Sequence, residues 1–308
     1  MVDLTPLIRI EGGTFRMGSN EFYADETPVH EREVDAFELE QHPVTTEQFA
    51  AFVEATGYVT VAERPLDPAD FPGADPADLV PGGLVFTPTS GRVDLRDWRQ
   101  WWRWGAGASW RHPFGADGPD ALAEHPTHPV VQVSFEDASA YAEWAGRRLP
   151  TEAELEYAHR GGLDGARFAW GDDETPDGEV MVNRWQGHFP YETSVGWAGT
   201  SPVKTFAPNG YGLFDVAGNV WEWTTDYYTP RHIVPGTEAD AVDAGARPNL
   251  LAAASAEPGS RIPRRVLKGG SHLCSPEYCL RYRPAARSPQ ADDTATTHIG
   301  FRCARTAG

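Results

Sequence analysis

Two cysteines carry the sharpest chemical signal in this chain. Cys274 and Cys279 are separated by four residues within GGSHLCSPEYCLRYRPAARS, residues 269–288, and the 308 residues contain only one other cysteine, Cys303. Ser271, His272, Tyr278, Tyr282, Arg281, Arg283 and Arg287 surround the pair. Two thiols this close admit a local disulfide, or a ligand pair for a soft ion such as Cu(I). Three cysteines cannot all pair, and a cytosol keeps thiols reduced. His272 would complete a His-Cys-Cys set, but a closed zinc site takes four protein ligands; a hydrogen-bonded structural histidine is the plainer reading. The arginines alternate and read as ion-pair formers.

A second candidate lies in PNGYGLFDVAGNVWEWTTD, residues 208–226. Asp215 and Glu222 offer carboxylates and the turn between them offers carbonyls, an oxygen-only set that suits Ca²⁺. The alternative is a tight turn in which Asn219 and Glu222 satisfy buried backbone groups. Trp221 and Trp223 alternate, which predicts one of them inward. Trp98, Trp101, Trp102, Trp104 and Trp110 fit either a peptide-binding groove, where tryptophan is enriched, or core packing.

The elements that must position these groups are partly readable. Residues 5–18 predict an opening strand and a turn punctuated by Gly12 and Gly13. Thr45 and Gln48 form a capping box for a helix that carries Phe49, Phe52 and Val53 inward and stops at Gly57. HPVVQVS, residues 128–134, reads as a buried strand. Ser134 caps a second helix with Ala138, Tyr141 and Ala145 inward and Gly146 as its stop. Thr151 and Glu154 open a third, with Leu155 and Ala158 inward. Short strands and turns follow, and residues 229–262 read as a long surface loop. No linker separates two cores, so residues 1–308 are taken as one domain.

Composition bounds the function. Gly and Pro together number 57, which predicts a loop-rich fold. A net charge of −19 argues against a nucleic-acid partner and favours an acidic, soluble surface or a cationic peptide. MVDLTPLIRIEGG lacks the features of a secretory signal, and no run approaches membrane-spanning length. A cytoplasmic protein without membrane attachment is expected, and a monomer.

Several blocks together resemble the aerobic formylglycine-generating enzymes, or sulfatase-modifying factors, of actinobacterial type. They are GGTFRMGS (12–19), ETPVH (26–30), HPVVQVSFEDASAYAEWAGRRLPTEAELEYAHRGG (128–162), NRWQGHFP (183–190), PNGYGL with GNVWEW, and the closing GGS…C…C…RYR…AAR…GFRC (269–303). They keep the family's order and span nearly the whole chain. The GGSxLCxxxYC arrangement is the most specific. The resemblance implies a mixed α/β fold with little regular secondary structure, distantly related to C-type lectins. It implies an oxidase that converts the cysteine of a CxPxR motif in an unfolded or nascent sulfatase to Cα-formylglycine, using O₂, Cu(I) and a thiol reductant.

Carried over by position, Cys274 and Cys279 are the copper ligands, and the substrate cysteine joins them as a third sulfur. Ser271 and Tyr278 line the pocket for O₂ or the reacting thiolate. Asp215, Gly218, Val220 and Glu222 match a structural Ca²⁺ turn, the middle two through carbonyls, and Asn183 with the Arg184 carbonyl matches part of a second Ca²⁺ site. Asp215 stands where asparagine is usual, and Ser275 where many members have histidine. Segment 191–200 has neither the length nor the suitably placed acidic residue that the second Ca²⁺ site calls for. The partner position of the GFRC cysteine is His159, so Cys303 is expected to be a free, buried thiol near His159. The CxPxR arginine calls for an acidic or carbonyl-rich pocket about 13 Å from the cysteines, beyond a groove lined by aromatics from 98–110 and Trp221. The competing readings are a non-catalytic lectin-like binding module on the same scaffold and a non-haem-iron sulfoxide synthase. Neither explains the cysteine pair, and the latter uses three histidines, partly from an added helical domain.

Overall fold

The computed structural model describes residues 3–308 apart from 67, 69–72, 74, 76–78, 194–195, 197–198 and 238–247. Its helices begin where side chains can satisfy their free N–H groups. Helix α1 (Thr46–Thr56) starts at Thr45, whose hydroxyl accepts the Gln48 N–H while the Gln48 side chain accepts the Thr45 N–H, and it ends at Gly57 with φ of 69°. After the short α2 (Ala121–Glu124), α3 (Phe135–Trp144) and α4 (Glu152–Arg160) begin with the same reciprocal box, from Ser134 with Asp137 and from Thr151 with Glu154. α3 buries Ala138, Tyr141 and Ala142, whereas Ala145, expected inward, is the half-buried C-cap. Leu155 and Ala158 of α4 are fully buried.

The strands are short, as the Gly and Pro content requires. Segment 5–18 forms two strands rather than one, β1 (Leu7–Ile10) and β2 (Gly13–Met17). β2 pairs with β3 (His30–Val34), and β1 pairs with β4 (Phe37–Glu40), whose other edge takes β11 (Ala304–Thr306). A hairpin joins β5 (Gly82–Phe86) to β6 (Trp102–Ala106). The largest sheet runs in the order β10-β7-β8-β9, with β7 Trp221–Tyr227, β8 Arg264–Lys268, β9 Arg287–Ala291 and β10 Ile299–Gly300.

Three sequence expectations change here. Residues 128–134 are buried but form no strand, because Gln132 takes φ of 58° and breaks the extended run. Trp221 and Trp223 are both buried, at 4% and 0% exposure, since β7 is interior to its sheet and covered on both faces. Within 229–262, Pro248–Ser255 form a helix, α5, while 238–247 lie outside the described residues.

Two apolar clusters fill the molecule. One gathers Phe49, Tyr141, Trp223, Phe301 and Cys303; the other joins Phe37, Leu39, Leu155, Ala158 and Leu213. A smaller aromatic cluster of Phe86, Trp101, Trp185 and Phe189 with Leu273 builds the wall of the site described next. Mixed helix and sheet with little regular structure is therefore the architecture. Among the described residues no helix is long and apolar enough to cross a membrane.

Candidate functional site

The two cysteines lie in the connection between the paired strands β8 and β9. β8 runs straight into Gly269 and Gly270, both at positive φ. A Cβ on Gly270 would sit 2.7 Å from the Arg281 carbonyl oxygen, so only glycine lets the returning chain approach this closely. That approach folds the connection onto itself. Local turns then aim the thiols: the Cys274 N–H donates to the Ser271 carbonyl at 2.9 Å and the Cys279 N–H to the Ser275 carbonyl at 2.7 Å. The Sγ atoms stand 3.3 Å apart, unbonded, and Cys274 also accepts the Ser271 N–H at 3.4 Å.

The N-terminal segment clamps this loop from outside. The Tyr23 hydroxyl accepts the Leu280 N–H at 3.0 Å, and the Arg281 guanidinium lies 4.2 Å over the Tyr23 ring. Arg283 makes a two-point pair with Glu26, buried on both sides. Arg287 pairs with Glu152 at 2.8 Å. Arg283 and Arg287 are thus structural, while Arg281 reaches into the cysteine cavity.

That cavity has a volume of about 150 Å³. Cys274, Cys279 and Ser271 meet Trp101, Trp102 and Trp221 in its lining. Tyr278 lies flat on Phe189, centroids 4.7 Å apart, with Trp101 edge-on to it at 5.4 Å. The aromatic groove expected from 98–110 is therefore split. Trp101 and Trp102 face the cysteines, Trp110 is core, and Trp98 and Trp104 are exposed at 44% and 49%. Cys274 is buried, at 2% exposure, and Cys279 is half-buried. Among the described residues no carboxylate lines this cavity or the neighbouring one around Trp110, Phe114, His125 and His128. Carboxylates of these two cavities therefore do not supply the acidic or carbonyl-rich pocket expected about 13 Å away for a substrate arginine.

The electrostatics single out one proton on the pair. Burial raises the Cys274 thiol, but the hydrogen bond from Cys279, the Ser271 N–H and the Arg281 charge together bring it below the ordinary value. Cys279 is pushed well above it, first by its hydrogen bond to Cys274 and then by burial. The pair thus gives up its first proton more readily than its second. Tyr278 is held protonated, pushed up to about 12 by burial and the nearby thiols. His272 turns away: its Nδ1 meets the Asn219 carbonyl at 2.8 Å, and burial lowers it to about 4. Among the described residues no group of three or more His, Cys, Asp or Glu side chains could hold a metal. Neither a His-Cys-Cys zinc set nor a three-histidine iron site is formed. Two reduced sulfurs, side by side at the base of a cavity, fit a two-coordinate soft ion.

The 215–222 turn sits directly behind the cysteine loop. A Cβ on Gly218 would lie 2.4 Å from the Asn183 carbonyl oxygen, and the Gly218 N–H donates to Gly269. Asn219, at φ of 59°, is the hub that sequence reasoning undervalued. Its carbonyl accepts both the N–H and the ring of His272, and its side chain bonds Asp215 and Ser201. Glu222 is gripped by Arg302, a residue no local pattern singles out, which also donates to the Asp215 and Phe214 carbonyls. Asp215 accepts the Lys204 N–H at 2.8 Å. Burial raises both the Asp215 and Glu222 carboxyls, the Asp215 charge adding to the rise at Glu222, and Arg302 only partly offsets this. Two buried carboxyls, offset by Arg302 and in part by Lys204, stand in an all-oxygen turn, a donor set that fits a hard cation sharing Glu222 with Arg302.

Asn183, expected with the Arg184 carbonyl in a second cation site, lies against this turn. The Asn183 amide donates to the Gly199 carbonyl, its own carbonyl accepts from Asn219, and the Arg184 guanidinium pairs with Glu174 at 3.1 Å. Part of segment 191–200 lies outside the described residues. Cys303 is fully buried, and its N–H donates to Glu40. His159 is equally buried, packed toward Gly269, with neither ring nitrogen bonded among the described residues. No hydrogen bond joins the two.

The sequence matches the Sulfatase-modifying factor enzyme 1-like domain over residues 2–307. It is 60% identical to the Formylglycine-generating enzyme of Mycobacterium tuberculosis, across 97% of both chains. It is 45% identical to that of Streptomyces coelicolor, across 97% of this chain and 89% of the other. Among solved structures, PvdO from Pseudomonas aeruginosa superposes with a TM-score of 0.62 at 23% identity, covering 98% of this chain and 94% of that one, a likeness of fold. The reduced cysteine pair, the turn behind it and the match from end to end agree: this chain belongs to the family of the sulfatase-modifying factor enzyme 1-like domain.

Proposed function

We propose that this protein is a formylglycine-generating oxidase that converts the cysteine of a CxPxR motif in an unfolded sulfatase segment to Cα-formylglycine. The observation that carries the reading is the pair of reduced sulfurs, Cys274 and Cys279, 3.3 Å apart at the base of an aromatic cavity. The near-complete match to enzymes of that name supports it.

Thiol to aldehyde is a two-electron oxidation. Taking O₂ to two waters needs two more electrons, which a thiol reductant supplies; the substrate, oxidised to the thioaldehyde level, is then hydrolysed, so that its sulfur leaves as sulfide and the aldehyde oxygen comes from water. Cu(I), held by Cys274 and Cys279, would supply the electron chemistry toward O₂. The chain's own residues do the rest. Arg281 offsets negative charge as the pair and an incoming thiolate gather in one cavity. Ser271, fully buried, points its N–H at Cys274 and fixes that sulfur. Tyr278, locked on Phe189 and Trp101 and held protonated, offers a hydrogen-bond donor at the cavity mouth. Trp102 and Trp221 exclude water from the reacting atoms. A Ca²⁺ ion at Asp215, Glu222 and the Gly218 and Val220 carbonyls would stiffen the turn that supports His272 and hence the loop.

The test is incubation of the protein, supplied with Cu(I) and a thiol, with a CxPxR peptide in air, followed by mass spectrometry. Conversion of the peptide cysteine to an aldehyde, trapped by a hydrazide and dependent on Cu(I), is expected. An unchanged peptide, with a folded protein that binds Cu(I), would overturn the assignment.

A further inference from the structure

Residues 92–111 invert the charge of the molecule. The chain as a whole carries a net charge of −19, yet this stretch holds five arginines, Arg92, Arg96, Arg99, Arg103 and Arg111, against two aspartates, Asp94 and Asp97. The same stretch supplies Trp101 and Trp102 to the cysteine cavity. Its backbone sorts the residues by the period of two. Val93 and Leu95 turn in against the aromatic cluster that walls the cavity. Arg92, Asp94, Arg96 and Trp98 are left outward, and Arg99 follows them. An arginine-rich rim, with one exposed tryptophan, therefore runs straight into the catalytic wall.

Arg111 is held by Asp120 at 2.9 Å, but the other four arginines are not consumed by the fold. Arg92 and Arg103 make no ion pair among the described residues. The Arg96 side chain, 91% exposed, pairs only with Asp94 two residues away, and Arg99 reaches Asp97 only at 3.8 Å. Such exposed pairs are worth little and exchange readily for a partner of better geometry. Arg99 lies 4.8 Å from the Trp98 ring, so guanidinium and indole form one contact surface. Elsewhere the surface repels acidic chains; here it attracts them.

We propose that this rim is a specificity surface that binds acidic residues flanking the modified cysteine in the substrate polypeptide. The inference rests on the reading of the cavity as the site of cysteine oxidation. Its grounds are charge complementarity and the unbroken run from Arg92 to the cavity-lining Trp102. The partner is an extended, acidic stretch of chain. The arginine of the motif itself belongs elsewhere, since a second guanidinium on this rim is repelled.

The test uses three peptides that share one CxPxR core, with neutral, acidic or basic flanks on either side. They are assayed with the Cu(I)-supplied wild type and with an Arg92→Glu/Arg96→Glu/Arg99→Glu variant. At low ionic strength, acidic flanks are expected to raise kcat/KM about fivefold over neutral ones, mainly through KM. Added salt should remove the advantage, and the charge-reversed variant should invert it while keeping kcat on the neutral peptide. An Arg92→Lys/Arg96→Lys/Arg99→Lys variant should retain most of the preference. Equal kcat/KM for all flanks, or an acidic preference that survives charge reversal, would overturn the proposal and leave the oxidase reading standing. No conversion of any peptide by the wild type would instead remove the oxidase reading. If the reversed variant fails to fold, the salt dependence and flank preference of the wild type still decide the matter.

Discussion

Arg302 and Glu222 meet in the interior as a two-point ion pair, with Nε–Oε2 and Nη2–Oε1 distances of 2.7 Å and both side chains essentially removed from water. Arg302 belongs to the closing GFRC block, and Glu222 to the turn behind the cysteine loop. The pair therefore ties the last part of the chain to the floor of the site. Leaving one partner of such a pair alone in the interior costs about 3–5 kcal/mol. Glu222→Gln is expected to lower stability by that order, read as a shift in the urea midpoint. Ca²⁺ added back to chelated wild-type protein is expected to raise Tm, and the rise should vanish in Glu222→Gln. A wild-type Tm that ignores Ca²⁺ up to millimolar concentration would discard the cation and leave the ion pair intact.

Cys274 and Cys279 act together or not at all. Neither thiol has a third ligand group within the described residues that could replace a lost partner. Cys274→Ser and Cys279→Ser should each abolish stoichiometric Cu(I) binding in a competition with a chromophoric chelator, and each should reduce turnover by orders of magnitude. Both should keep the fold, since serine is close in volume. Full turnover in Cys274→Ser would show that one sulfur suffices and that the pairing is incidental.

Cys303 has the opposite character. It is fully buried, its thiol is pushed well above the ordinary value by burial and by Glu40, and its backbone is pinned to that carboxylate. It behaves as a small apolar side chain. Cys303→Ala should leave Cu(I) binding and turnover unchanged and cost about 1 kcal/mol. A thiol reagent should leave Cys303 untouched in the native protein and reach it on unfolding. Loss of Cu(I) binding in a folded Cys303→Ala protein would mean that the ligands have been misassigned.

The cysteine pair, the capping boxes and the turn at 215–222 were legible because local rules set them. A box needs only Thr45 and Gln48, and a C-terminal stop only Gly57. The roles of Arg302 and Arg281 were not legible, because each depends on segments far apart in the chain. Arg302 meets a carboxylate 80 residues away, and the loop carrying Arg281 is held by Tyr23, whose hydroxyl takes the Leu280 N–H across 257 residues. Segment 128–134 misled for the same reason. Its apolar run reports burial, and only the positive φ of Gln132 decides that it is not a strand. The tryptophans at 98–110 divide between cavity, core and surface according to a hairpin register that composition does not contain.

The pH response of stability follows from histidines buried in neutral form. His42, His128 and His232 are each pushed down to about 4, in every case first by burial, against an unfolded value near 6.5. Between these limits the unfolded chain takes up protons that the folded chain refuses. Their stabilisation is complete above the unfolded value and is lost as pH falls toward 4. His272, at about 4, and His298, at about 3, add to the same trend. Carboxyls raised first by burial oppose it, Glu40 to about 7 and Asp226 to about 6, with Glu26, Asp137, Asp215, Glu222 and Asp292 raised too, because their unfolded forms ionise at lower pH and favour unfolding as pH rises. The five histidines, whose unfolded forms all titrate inside this window, are expected to outweigh the carboxyls, so Tm should fall from pH 7 to pH 5, with a contribution on the order of 2 kcal/mol per histidine. His232→Gln should flatten the slope, since it removes one such group from a ring that lies against His30 rather than in the cysteine cavity. A Tm that rises on acidification across this window would show that the carboxyls dominate and that the histidines are charged in the folded protein.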